Sequence, residues 1–273
     1  MLGAIIGDIV GSRFEFHNHR SLEFDFFHKK CKPTDDSVMT VAVAKSLLEA
    51  KGDWSQLESL AIKNARLYGL RHFDSGYGQR FKAWLTSPDP KPYNSYGNGA
   101  AMRVSPCALA AKDLAEAQLL SRLVTQITHN HPEGLKGAEA TVTGIFWARQ
   151  GWSLERIRAL VEELYYPLDF TLDEIRPTYR FNVTCQGTLP PALLAFLTSE
   201  SFEDAVRKAI SVGGDSDTLA AITGSLAEAY WGIDEPTRAT ALNYLSPDLR
   251  EVVLEFESCF PLEIPTIKID SPS

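Results

Sequence analysis

The chain lacks most of what would place it outside the ordinary globular class. Only 4 of its 273 residues are cysteine. They stand far apart at Cys31, Cys107, Cys185 and Cys259 with no CxxC pair, which excludes a disulfide framework and a thiolate zinc site. No stretch approaches the roughly twenty apolar residues of a membrane span. The N-terminus has no basic segment, and Asp8 interrupts its short apolar run, so no secretory signal is expected and the expected location is cytoplasmic. Basic residues are outnumbered 27 to 35, for a net charge of −8, and form no block. Nucleic acid and anionic membranes are poor partners for such a surface. Strand-like alternation persists nowhere, which argues against a parallel α/β sheet. No heptad pattern is present, so a monomer is the default expectation.

What is there is helical periodicity. Val38 to Ala50, Trp54 to Tyr68, Val104 to Lys112, Leu114 to His129 and Leu135 to Gln150 repeat apolar residues at helical spacing. Leu154 to Leu164 follows Ser153, a natural N-cap. Pro191 to Thr198, Phe202 to Val212, Leu219 to Trp231, Pro236 to Tyr244 and Asp248 to Cys259 complete the predicted set. Between them, Thr86 to Met102 and Pro167 to Pro191 are rich in Gly, Pro and Asn and read as long loops, which are more often functional than idle. With no linker, repeat or composition break, residues 1–273 are expected to form one all-α domain.

Two acidic motifs stand at predicted helix starts. Thr34-Asp35-Asp36-Ser37 carries two adjacent carboxylates where a cap needs one. Gly213-Gly214-Asp215-Ser216-Asp217-Thr218 turns on two glycines and supplies carboxylates at alternate positions, without the later Gly and Glu of an EF-hand loop. If the four aspartates converge, their repulsion calls for two divalent cations. An all-oxygen donor set points to Mg²⁺, Mn²⁺ or Ca²⁺ rather than zinc or copper, with Mg²⁺ the first expectation. Three further segments attract notice. Ser95-Tyr96-Gly97-Asn98-Gly99-Ala100-Ala101-Met102-Arg103 exposes backbone amides at a helix entry, as an anion cradle does and an ordinary turn also does. Thr128-His129-Asn130-His131-Pro132 sets two histidines on a loop. Gly7-Asp8-Ile9-Val10-Gly11 leads to Glu15 and permits a glycine-lined helix contact.

Taken in order, these five motifs resemble the ADP-ribosylglycohydrolases, over residues 3 to 232. The resemblance implies an all-α, orthogonally packed domain with two divalent cations at the mouth of an ADP-ribose cleft. It assigns Thr34, Asp35, Asp36, Asp215, Asp217 and Thr218 to the metals. It assigns Ser95, Gly97, Asn98, Gly99, Ala100 and Met102 to the diphosphate and distal ribose, and sets His129 and His131 beside the substrate. The implied reaction is hydrolysis of the bond between ADP-ribose and a modified protein side chain, arginine in the leading case. Asp36 or Asp35 would accept the proton of water, and Glu15 would position the ribose or that water. The partner is then an ADP-ribosylated protein or a small ADP-ribose-containing molecule. Two rival classes stay open: a crystallin-like or ADP-ribose-binding protein without turnover, and a metal-dependent hydrolase of another nucleotide.

Overall fold

The computed structural model describes residues 1–265. In chain order its helices are α1 (Leu2–Gly11), α2 (Asp35–Ala50), α3 (Leu57–Arg71, after a 3-10 turn at Trp54–Gln56), α4 (Gln79–Thr86) and α5 (Gly99–Met102). Next come α6 (Ser105–Ala110), α7 (Leu114–Thr125), α8 (Pro132–Arg149), α9 (Leu154–Leu164) and α10 (Leu172–Ile175). The last are α11 (Cys185–Leu197), α12 (Phe202–Val212), α13 (Ser216–Trp231), α14 (Glu235–Leu242) and α15 (Pro247–Cys259). No β-strand occurs among the described residues, and the helices share one apolar core that makes a single compact domain. None of these helices is long and apolar enough to cross a membrane.

The centre of the fold is the crossing of α1 on α13. Gly3, Gly7 and Gly11 recur every fourth residue, so they form one face of α1. A Cβ at Gly3 would lie 2.2 Å from the carbonyl oxygen of Gly224, and one at Gly7 only 2.0 Å from that of Ala220. The two helices therefore meet backbone to backbone. Both are buried almost throughout, α1 from Leu2 to Gly11 and α13 from Ser216 to Tyr230.

The surrounding helices follow local signals. Ser153 accepts from the Arg156 amide at the start of α9, and Asp113 and Ser201 do the same for α7 and α12. The predicted loop from Pro167 to Pro191 is more ordered than its composition suggests. It contains α10, closed by a capping box between Thr171 and Glu174, and the first turns of α11. That helix starts at Cys185, six residues ahead of the predicted Pro191, and runs through Pro190 and Pro191. Proline at position 191 leaves the carbonyl of Gly187 without its helical donor. The hydroxyl of Tyr179 donates to that carbonyl at 2.9 Å, so the interruption is repaired from outside the helix. The predicted loop from Thr86 to Met102 likewise ends in α5.

Candidate active site

Three regions remote in sequence supply the floor of one cleft. Asp8 comes from α1, Asp35 and Asp36 open α2, and Asp215 and Asp217 flank the turn into α13, where Gly213 (φ +81°) and Gly214 (φ +72°) bend the chain. Glu15 joins them from the segment after α1. Carboxylate oxygens of Asp8, Asp36 and Asp217 lie within 4.8 Å of one another. Those of Glu15, Asp215 and Asp217 do the same, and Asp217 belongs to both triads. The convergence expected from the four motif aspartates is thus present for Asp36, Asp215 and Asp217, with Asp35 beside them on the cavity wall.

The cap of α2 explains why its two carboxylates are available. Thr34 caps nothing with its side chain. The buried carboxylate of Asp8, projecting from α1, accepts instead from the amides of Thr34 (2.8 Å) and Ser37 (3.0 Å) and from both their hydroxyls. One foreign aspartate does the capping, which frees Asp35 and Asp36 to face the cleft. Asp215 at the start of α13 is also free of capping duty. It accepts from Asn98 Nδ2 at 2.7 Å, while the Thr218 hydroxyl donates to Asp36 Oδ2 at 3.2 Å.

Burial and mutual repulsion act together on this floor. Burial raises the proton affinity of Asp36 well above the usual carboxylate range, and Asp8 and Asp35 add to it. Asp217 is raised in the same way by burial and then by Asp215 and Asp36. Glu15 and Asp35 are each pushed up to about 7, first by burial and then by their acidic neighbours. Asp36 Oδ1 is buried and has no hydrogen-bond partner among the described residues. An orphaned carboxylate oxygen on a member of one of two overlapping all-oxygen triads fits hard divalent cations, and no His or Cys enters either triad.

A cavity of about 490 Å³ opens above this floor. Ser95, Gly97, Asn98, Gly99, Met102 and His129 line the facing wall. The turn from Tyr96 to Asn98 is held by an antiparallel bridge to the chain before α11, with Asn98 N–H donating to Val183 and Cys185 N–H to Tyr96. Phe16 and Phe181 stack across the mouth with ring centroids 6.1 Å apart, and both are exposed.

Three residues named from sequence lie off the cavity wall. Ala100 is buried behind it. The Thr34 hydroxyl donates to Asp8 at 2.6 Å. His131 caps α8 by accepting from the Glu133 amide and packs its ring on Tyr96. Sequence reasoning missed Asp8 as a member of the floor. Its signal was a single carboxylate inside an otherwise apolar, glycine-spaced helix. It also missed α4, which brings Gln79, Arg80 and Phe81 to the cavity.

Comparison with known proteins agrees with this geometry. The ADP-ribosylglycohydrolase family model matches residues 1–252. The mouse ADP-ribosylhydrolase ARH3 is 29% identical, over 86% of this chain and 83% of its own length. The ADP-ribosyl-[dinitrogen reductase] glycohydrolase of Rhodospirillum rubrum is 27% identical, over 86% of this chain and 85% of its own. Among solved structures, a chain of an "ADP-ribosylglycohydrolase-related protein complex" superposes with a TM-score of 0.67 at 25% identity, covering 94% of this chain and 95% of that one. An all-α fold built around an acidic cleft, with a family match that takes in every motif of that cleft, makes this chain a member of the ADP-ribosylglycohydrolases, enzymes that hydrolyse ADP-ribose linkages.

Proposed function

We propose that this protein removes ADP-ribose from arginine side chains of modified proteins with the help of two divalent cations, Mg²⁺ in the first instance. The observation that carries the reading is the pair of carboxylate triads sharing Asp217 at the floor of a ligand-sized cavity. Asp8, Asp36 and Asp217 would hold one cation, and Glu15, Asp215 and Asp217 the other. Such cations supply a grip on ribose hydroxyls and lower the pKa of water at the site.

The protein's own groups do the rest. Gly97 and Gly99 have no side chains to keep a ligand from the backbone of their turn. Asn98 ties that turn to Asp215, and so couples the ligand wall to the acidic floor. Asp36 or Asp35 accepts the proton of the attacking water, as the bond from ribose C1 to the side-chain nitrogen breaks through an oxocarbenium-like state. Glu15 stands between the floor and the mouth, where it orients the water or the ribose. The exposed Phe16 and Phe181 beside it suit a cationic, planar leaving group such as guanidinium, which is the structural reason for favouring arginine.

The test is release of free ADP-ribose from an arginine-modified protein with Mg²⁺ and again with EDTA. Release that EDTA abolishes, and that Asp36→Asn removes while leaving the protein folded, is the expected outcome. Activity confined to serine-linked substrate would move the linkage. Release unaffected by EDTA would overturn the metal-assisted reading.

A further inference from the structure

Arg103 lies 2% exposed, in the short connection between α5 and α6, and makes no ion pair among the described residues. A buried guanidinium without a carboxylate partner is strongly disfavoured unless its donors have work that a neutral side chain cannot do. Its Nε donates to the carbonyl of Gly99, and its Nη2 lies 3.0 Å from Nδ1 of His129. A guanidinium has only donors. Nδ1 of His129 must therefore be the acceptor and carry no proton. The Thr128 hydroxyl, 2.7 Å from the same nitrogen, can donate to it as well.

The consequence falls on the other ring nitrogen. A neutral imidazole with a bare Nδ1 has its single N–H on Nε2. Nε2 faces the turn that forms the ligand wall: a Cβ built on Gly97 or Gly99 would come within 3.4 or 3.3 Å of it. His129 lines the cavity, and no protein acceptor among the described residues takes a hydrogen bond from Nε2.

We propose that Arg103 is a positioning residue: by donating to Nδ1 it holds His129 neutral in the Nε2–H form, so that one fixed donor points into the cleft. A second proton on His129 would set N–H against the cationic donors of Arg103, so the imidazole is not a general acid or base here. Every group that faces the ring acts in the same sense or is neutral. Arg103 and Arg80 are cationic, while Thr128 and Tyr93 carry no charge at neutral pH. Burial, followed by Arg103 and Arg80, accordingly holds the His129 pKa well below its ordinary value. Because the same guanidinium also grips Gly99, it fixes the imidazole and the turn relative to each other. The acceptor that Nε2–H meets is a phosphate or hydroxyl oxygen of the ligand, and only that identity rests on the proposed function.

The lock can be read without any ligand. In the metal-loaded protein, ¹⁵N NMR of the histidine rings, with His129 assigned by its loss in His129→Gln, should show an Nε2–H tautomer that does not titrate between pH 5 and 8. In Arg103→Met the ring should populate both tautomers, and its pKa should rise from the wild-type value while burial and Arg80 still hold it below the ordinary one. ADP-ribose affinity should fall about tenfold, the effect of a misdirected hydrogen bond to a charged group, with Mg²⁺ affinity unchanged. Arg103→Lys, which keeps a cationic donor, should restore the tautomer and part of the affinity. A wild-type His129 that titrates between pH 5 and 8, or that carries its proton on Nδ1, overturns the proposal even if neither Arg103 variant folds. So does an Arg103→Met protein with an unaltered ring. If the tautomer results hold and the wild-type protein binds no ADP-ribose, the lock stands and the proposed function fails.

Discussion

Gly7→Ala is the sharpest test of how the fold builds the acidic floor. The added Cβ would sit 2.0 Å from the carbonyl oxygen of Ala220 and 2.3 Å from its carbon, both backbone atoms of a buried helix. Real Cβ atoms essentially never come closer than 3.0 Å, so α1 must withdraw from α13 by about 1.0 Å. Overpacking of this kind costs about 1–3 kcal/mol. For a chain of this size each kcal/mol lowers the melting temperature by roughly 2–4 °C, so a drop of about 2–12 °C is expected. The same shift carries Asp8 away from Asp217. Metal–ligand distances tolerate only about 0.2 Å, so Mg²⁺ affinity should fall at least about tenfold. Differential scanning calorimetry and isothermal titration with Mg²⁺ measure the two effects. Gly78→Ala is the control, because nothing lies within 4 Å of its added Cβ and its φ of −61° suits any residue. A Gly7→Ala protein that melts and binds Mg²⁺ as the wild type does would refute the account of α1 as a backbone-to-backbone element that spaces the ligands.

Three further outcomes follow from the same geometry. Glu15 and Asp35 have folded pKa values raised to about 7, so the metal-free native state holds protons that the unfolded chain releases at lower pH. Stability in EDTA should therefore fall as pH rises from about 5 to 8, and saturating Mg²⁺ should flatten that slope; parallel melting profiles with and without metal would exclude a shared acidic floor. Asp8→Asn keeps the shape but removes one charge and turns one of the two oxygens that accept from Thr34 and Ser37 into a donor, so Mg²⁺ titration should show at least about tenfold weaker binding. Phe16→Ala should raise KM for an arginine-modified protein while leaving ADP-ribose affinity unchanged, because its exposed ring stands at the mouth; weaker ADP-ribose binding in calorimetry would place the ring inside the nucleotide site instead.

Legibility in the sequence tracked amphipathicity. Helices with one wet face, such as α9 behind its Ser153 cap and α12 from Phe202, stood out. Helix α1 offered no such contrast because every one of its residues is buried, and a short apolar run without a stripe does not declare itself a helix. The start of α11 was hidden by Pro190 and Pro191, whose helix-breaking signal is local, whereas the hydroxyl of Tyr179 that compensates comes from another segment. At the site, the doubled aspartates announced more carboxylate than capping requires. Asp8 could not announce itself, because its role depends on lying across the start of α2, and sequence shows no such contact. The Arg103–His129 pair was invisible for the same reason, although both residues sat inside quoted motifs.

The crossing of α1 on α13 also fixes an order of events in time. Gly7 and the Ala220 it packs against are separated by more than 200 residues, so α1 leaves the ribosome long before its partner exists. At about 5–20 residues per second the wait is roughly 10–40 s. During that interval neither carboxylate triad is complete, since each includes Asp217. Metal therefore cannot template the early nascent chain at this centre. A cation held there, as proposed, would arrive as a late seal on a cleft that helix packing has already built, and its binding energy would add to the native state once the two ends of the domain have met.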